Sequence, residues 1–87
     1  MNHTERINET ARQNRHLTRR LVKEAVETYL ELLTEEITTG EWVDIPGIGK
    51  IQVSVEDGSG AEQLRTHHRL RTKIRLAEAF KTKCYRR

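Results

Sequence analysis

Apolar positions along this chain change their period twice, and each change marks a new kind of element. From Leu21 the residues Leu21, Val22, Ala25, Val26, Tyr29, Leu32, Leu33 and Ile37 recur at steps of three and four, the spacing of one face of a helix. Thr18 stands where an N-cap belongs, so the pattern predicts a helix from there to about Thr38 with a wide buried stripe. Ahead of it, Asn2 or Thr4 can cap a first helix reaching about Asn14, with Glu5 in the first turn where the helix dipole favours an anion. Only Ile7 and Ala11 fall at helical spacing in that segment, so packing rather than propensity must hold it. Asn14-Arg15-His16 reads as a short break between the two helices.

After Gly40, placed to end the second helix in the left-handed conformation, the period falls to two. Trp42, Val43 and Ile45 begin a first strand, and Pro46-Gly47-Ile48-Gly49 supplies a fixed φ followed by two glycines free to take positive φ. A phosphate-binding loop would need a helix next. Instead Lys50 to Glu56 resume as a strand with Ile51, Val53 and Val55 on one face, so Gly47 and Gly49 are turn residues. Asp57-Gly58-Ser59-Gly60 reads as the tip of a longer hairpin, Gln63 to Leu76 as its return, and Ala77 to about Arg86 as a short final helix anchored by Phe80. The expected class is α+β: two helices, a three-stranded antiparallel sheet with a ribbon arm, and a closing helix.

Charge changes the picture more than composition does. The net charge of +3 hides a strong segregation: residues 1–20 carry five Lys/Arg against two acids, residues 21–63 two against ten, and residues 64–87 nine against one. Within the last segment Arg65, Arg69, Arg71, Lys73 and Arg75 all have odd numbers, so on a strand they form a single cationic ridge, with Leu70, Ile74 and Leu76 on the other face. Lys81, Lys83, Arg86 and Arg87 follow. A ridge of this kind suits a polyanion with closely spaced charges, and the four-to-one preference for arginine suits bidentate pairing with phosphate oxygens. The expected partner is nucleic acid, with charge alone leaving DNA and RNA both open.

Other chemistry finds little support. The acids Glu24, Glu27, Glu31, Glu35 and Glu36 occupy the solvated face of the second helix, with no histidine, second carboxylate cluster or glycine-rich loop beside them, so we expect no enzyme and no cofactor. His67 and His68, as neighbours on a strand, point to opposite faces and do not converge on a metal; His3 and His16 are isolated. Cys84, the single cysteine, reads as a reduced thiol. The chain lacks a run of about 18 apolar residues and a secretory leader, so a cytoplasmic location is expected. With 87 residues, 34% of them hydrophobic, a lone copy buries too little surface, and a dimer is expected.

The run Gly40-Glu41-Trp42-Val43-Asp44-Ile45-Pro46-Gly47-Ile48-Gly49-Lys50-Ile51-Gln52-Val53, with Met1-Asn2-His3-Thr4-Glu5, Leu17-Thr18, Lys73-Ile74-Arg75-Leu76 and Phe80-Lys81 around it, resembles the HU and integration host factor family of bacterial DNA-bending proteins over almost the whole chain. The resemblance implies one domain over residues 1–87: a helical dimerisation part (1–39), a sheet with its arm (40–76), and a final helix with a basic tail (77–87). It implies an intertwined homodimer or heterodimer acting in the nucleoid, each copy sending a ribbon arm into the minor groove. The family's DNA-facing positions carry over to Arg65, Arg69, Arg71 and Lys73 on the return strand and to Arg75 and Lys81 on the body. The chain departs from the family in a shorter arm without the Arg-Asn-Pro tip, in Ser54, Glu56 and Asp57 on the outgoing strand, and in Glu78 where lysine is common. Carboxylates repel phosphates, so the expectation is salt-sensitive binding, largely independent of sequence and without sharp kinking. The alternative is an assembly module that keeps the dimer scaffold and has lost DNA bending.

Overall fold

The computed structural model describes residues 1–56 and 69–87, and runs α1 (His3–Gln13), α2 (Arg19–Ile37), β1 (Val43–Ile45), β2 (Gly49–Glu56), β3 (Arg69–Leu76) and α3 (Glu78–Tyr85). The tip Asp57-Gly58-Ser59-Gly60, His67, His68 and Arg65 lie outside the described residues. These form two compact units, Met1–Leu33 and Thr34–Arg87.

In the first unit, Asn2 rather than Thr4 starts α1. The Asn2 side chain accepts from the Glu5 backbone N–H at 2.8 Å while the Glu5 carboxylate accepts from the Asn2 N–H at 3.0 Å, a reciprocal capping box that satisfies two otherwise orphaned donors. Glu9 accepts side-chain hydrogen bonds from Arg12 and Gln13. The Arg12 bond, above all, holds the Glu9 carboxyl down at about 2. Because this folded value lies below the ordinary one, the contribution is complete at neutral pH and disappears as acid is taken from about 4.5 down through about 2. Thr18 caps α2 as its sequence position requires, its hydroxyl accepting from the Leu21 N–H at 3.1 Å. The Arg19 guanidinium donates to Asn8, and His3 lies 3.8 Å from Glu27, so the two helices run antiparallel with Ile7 and Val22 buried.

The broad stripe on α2 requires a correction. Its residues do lie on one helix, but of the eight only Val22 is buried; Tyr29 (55% exposed) and Leu32 (56%) open a shallow groove with Leu21, Ala25 and Thr28. The periodicity establishes an apolar face without saying which chain covers it, and one copy does not.

The second unit starts with the helix stop. Gly40 has φ +86°, and its N–H donates to the Ile37 carbonyl. The strand begins at Val43, one residue later than the alternation suggests. The Ile48 N–H donates to the Ile45 carbonyl at 3.0 Å across Pro46 and Gly47, and Gly47 at φ +81° supplies the third-residue geometry of a type II turn. The sheet is antiparallel in the order β1-β2-β3, with Val43 opposite Ile51 and Ile51 opposite Ile74. Val43, Ile45, Ile51, Val53, Val55, Leu70, Ile74 and Leu76 therefore share one face, and Phe80 of α3 lines an apolar hollow with seven residues including Ile45, Ile51 and Ile74. Of that face only Val43 is buried; Ile74 remains 61% exposed.

The two turn glycines predict different costs. A Cβ at Gly47 meets nothing, so Gly47→Ala should lose about 1–2 kcal/mol from left-handed strain alone. At Gly49 (φ +152°) a Cβ would sit 2.1 Å from the Arg75 carbonyl oxygen and 2.9 Å from the Leu76 Cα, both backbone, so Gly49→Ala should lose more than about 3 kcal/mol. Thermal unfolding followed by circular dichroism checks the order; equal losses would contradict it.

Candidate nucleic-acid interface

Antiparallel pairing places partnered residues on the same side of the sheet, so the register fixes the face opposite the apolar one. Glu56 pairs with Arg69, Ser54 with Arg71, Gln52 with Lys73, and Lys50 with Arg75, while Asp44 pairs with Lys50. Arg69, Arg71, Lys73 and Arg75 thus stand in a row along β3, all exposed, as their odd numbering requires. The row is about 20 Å long at the rise of an extended strand.

The neighbours of these cations differ. Arg71 donates to the Glu56 carboxylate at 2.8 Å, diagonally across the ribbon. The guanidinium carbon of Arg75 lies 5.3 Å from the centroid of the Trp42 ring, a cation–π contact. Arg69 and Lys73 have no ion pair among the described residues. Gln52 is occupied structurally, its amide donating to the Gly40 carbonyl at 2.9 Å and fastening the polar face to the helix stop.

The remaining basic residues expected from the sequence form a separate group, carried by α3 and its end rather than by the ribbon. Lys81 pairs with Glu78 at 3.1 Å, and Lys83 lies in the last turn, where a cation suits the helix dipole. Arg86 is the C-cap residue and Arg87 ends the chain. Two neighbours of the ridge escaped the sequence reading in these roles. Trp42 was assigned to the start of a strand and Glu56 to general repulsion of phosphate; the pairing of β2 with β3 places Glu56 among the cations, and the contact with Arg75 places Trp42 there.

A family model described as bacterial DNA-binding protein matches residues 1–83. The chain belongs to that family. Among solved structures, a point mutant of HU from Thermotoga maritima shares 27% identity, with a TM-score of 0.67 over 97% of this chain and 99% of that one. HU from Anabaena, solved as a cocrystal with DNA, shares 17% identity and a TM-score of 0.70 over 97% of each chain, a likeness of fold. The resemblance to HU read from the glycine hairpin is thereby established for the family and the fold. Among the described residues of this family member, no group of His, Cys, Asp and Glu is arranged to hold a metal, and no helix is long and apolar enough to cross a membrane.

The Glu56–Arg71 pair is more than 40% exposed on both sides, so its coupling in a double-mutant cycle should be about 0.2–1 kcal/mol. Glu56→Gln should accordingly leave thermal stability nearly unchanged; a loss of several kcal/mol would mean that this pair holds the ribbon together.

Proposed function

We propose that this chain is a non-enzymatic architectural protein of the bacterial nucleoid that binds double-stranded DNA as a dimer, largely without regard to sequence. The observation that carries this reading is the row Arg69, Arg71, Lys73 and Arg75 on one exposed face of β3. Its spacing suits successive phosphates, and family membership supplies the expectation that the phosphates belong to DNA. In our proposal Arg65, Lys81, Lys83, Arg86 and Arg87 also contribute contacts to the DNA backbone. Guanidinium and ammonium groups directed at a backbone position a protein without reading bases, which is why sequence should matter little. Glu56 moderates the contact by holding Arg71 and by repelling phosphate.

The dimer follows from what one chain leaves uncovered. Tyr29 and Leu32 on α2, and Leu70 and Ile74 on the sheet, are apolar and open to water, while the buried apolar side chains among the described residues are Ile7, Val22 and Val43. A second copy, identical or closely related, supplies the missing cover, and the domain works as one unit over residues 1–87.

Electrophoretic shifts on duplex DNA at rising salt should give log K falling linearly with log salt. Arg69→Gln and Lys73→Gln, each removing a cation from both copies of the dimer, should each reduce that slope by about 1.8. Glu56→Gln should tighten binding about two- to fivefold at low salt. Affinity indifferent to salt would overturn the reading. For the dimer, the unfolding temperature should rise with protein concentration, as it does when folding and association are linked. A concentration-independent transition with a monomer mass in sedimentation would contradict it.

A further inference from the structure

Trp42 precedes β1, and its contact with Arg75 puts its ring beside the polar face of Asp44, Lys50 and Arg75, where a large aromatic ring has no core to fill. Trp42 is 38% exposed, and its one specific contact among the described residues is with the Arg75 guanidinium lying over its ring. Asp44, level with Arg75 in the ladder, forms no ion pair with it among the described residues. We propose that Trp42 is a positioning residue of the nucleic-acid face, holding Arg75 so that its N–H donors are presented to a phosphodiester of duplex DNA. This rests on the duplex-binding reading above.

The contrast with Arg71 gives the physical reason. A carboxylate engages a guanidinium through its N–H donors, so Glu56 occupies the groups that Arg71 would offer a phosphate. A ring attracts the same cation through its π-electron quadrupole and supplies no carboxylate oxygen, leaving the charge uncancelled and the donors available. It also restricts a long side chain before the ligand arrives, which lowers the ordering cost of binding. Arginine and lysine then differ at position 75, because only the planar guanidinium combines stacking with a fork of donors.

Trp42→Leu keeps apolar bulk and Arg75→Lys keeps the charge, and each should weaken binding to a 20-base-pair duplex about two- to fivefold without changing the salt slope. Arg75→Gln, removing a cation from both copies of the dimer, should lower the slope by about 1.8 and should make a following Trp42→Leu neutral. Trp42→Phe, which retains a ring, should restore most of the affinity, and it serves with Arg75→Lys should the leucine variant unfold. Trp42 is the single tryptophan, so its fluorescence in the wild type should change on saturation with duplex. Equal effects of Trp42→Leu in the presence and absence of Arg75, or a Trp42→Leu or Arg75→Lys variant that binds as the wild type does, would overturn the proposal while leaving duplex binding intact. A wild type that binds no duplex at low salt would overturn the function reading and this proposal with it.

Discussion

The antiparallel pairing of β2 with β3 is the constraint on which the rest depends. Eight consecutive partners, from Gly49 with Leu76 to Glu56 with Arg69, sort fifteen side chains onto two faces of opposite character. One face gathers Val53, Val55, Leu70 and Ile74, which seek cover; the other gathers Arg69, Arg71, Lys73 and Arg75, which seek an anion. A slip of one residue on either strand would mix the two sets. The close approach of Gly49 to the Arg75 backbone belongs to that register at the body end of the sheet, while the Pro46-Gly47 turn sets the pairing of β1 with β2.

Much of this order is legible in the residues themselves. Caps at Asn2 and Thr18, the stop at Gly40 and the turn at Gly47 each depend on a local hydrogen bond or a local φ, and local chemistry is what a sequence states openly. The cationic row is legible for the same reason, since parity on a strand needs no knowledge of a neighbour. Cover for Tyr29 and Leu32 is different, because an apolar stripe says that it must be buried and leaves open by what. Glu56 beside Arg71 needs the register of β2 with β3, and Trp42 beside Arg75 needs the order of all three strands, neither of which single-strand periodicity contains.

The polar face is graded rather than uniformly positive. Arg71 is engaged by a carboxylate and Arg75 by a ring, while Arg69 and Lys73 carry no ion pair among the described residues. Net charge alone would rate the three arginines alike. In the proposed interface their partners make them different ligands for phosphate, with one cation discounted by the charge that faces it and another held in place at no cost in charge.

Exchanging Thr72 and Lys73 tests most directly whether the face, rather than the composition, binds the duplex. The variant Thr72→Lys/Lys73→Thr has the same amino acids and net charge, but moves one cation from the polar side to the side shared by Val53. The account predicts weaker binding to duplex DNA and a salt slope reduced by about 1.8 for the dimer, with a cooperative unfolding transition confirming that the variant is folded. A folded variant with wild-type affinity and slope would contradict it.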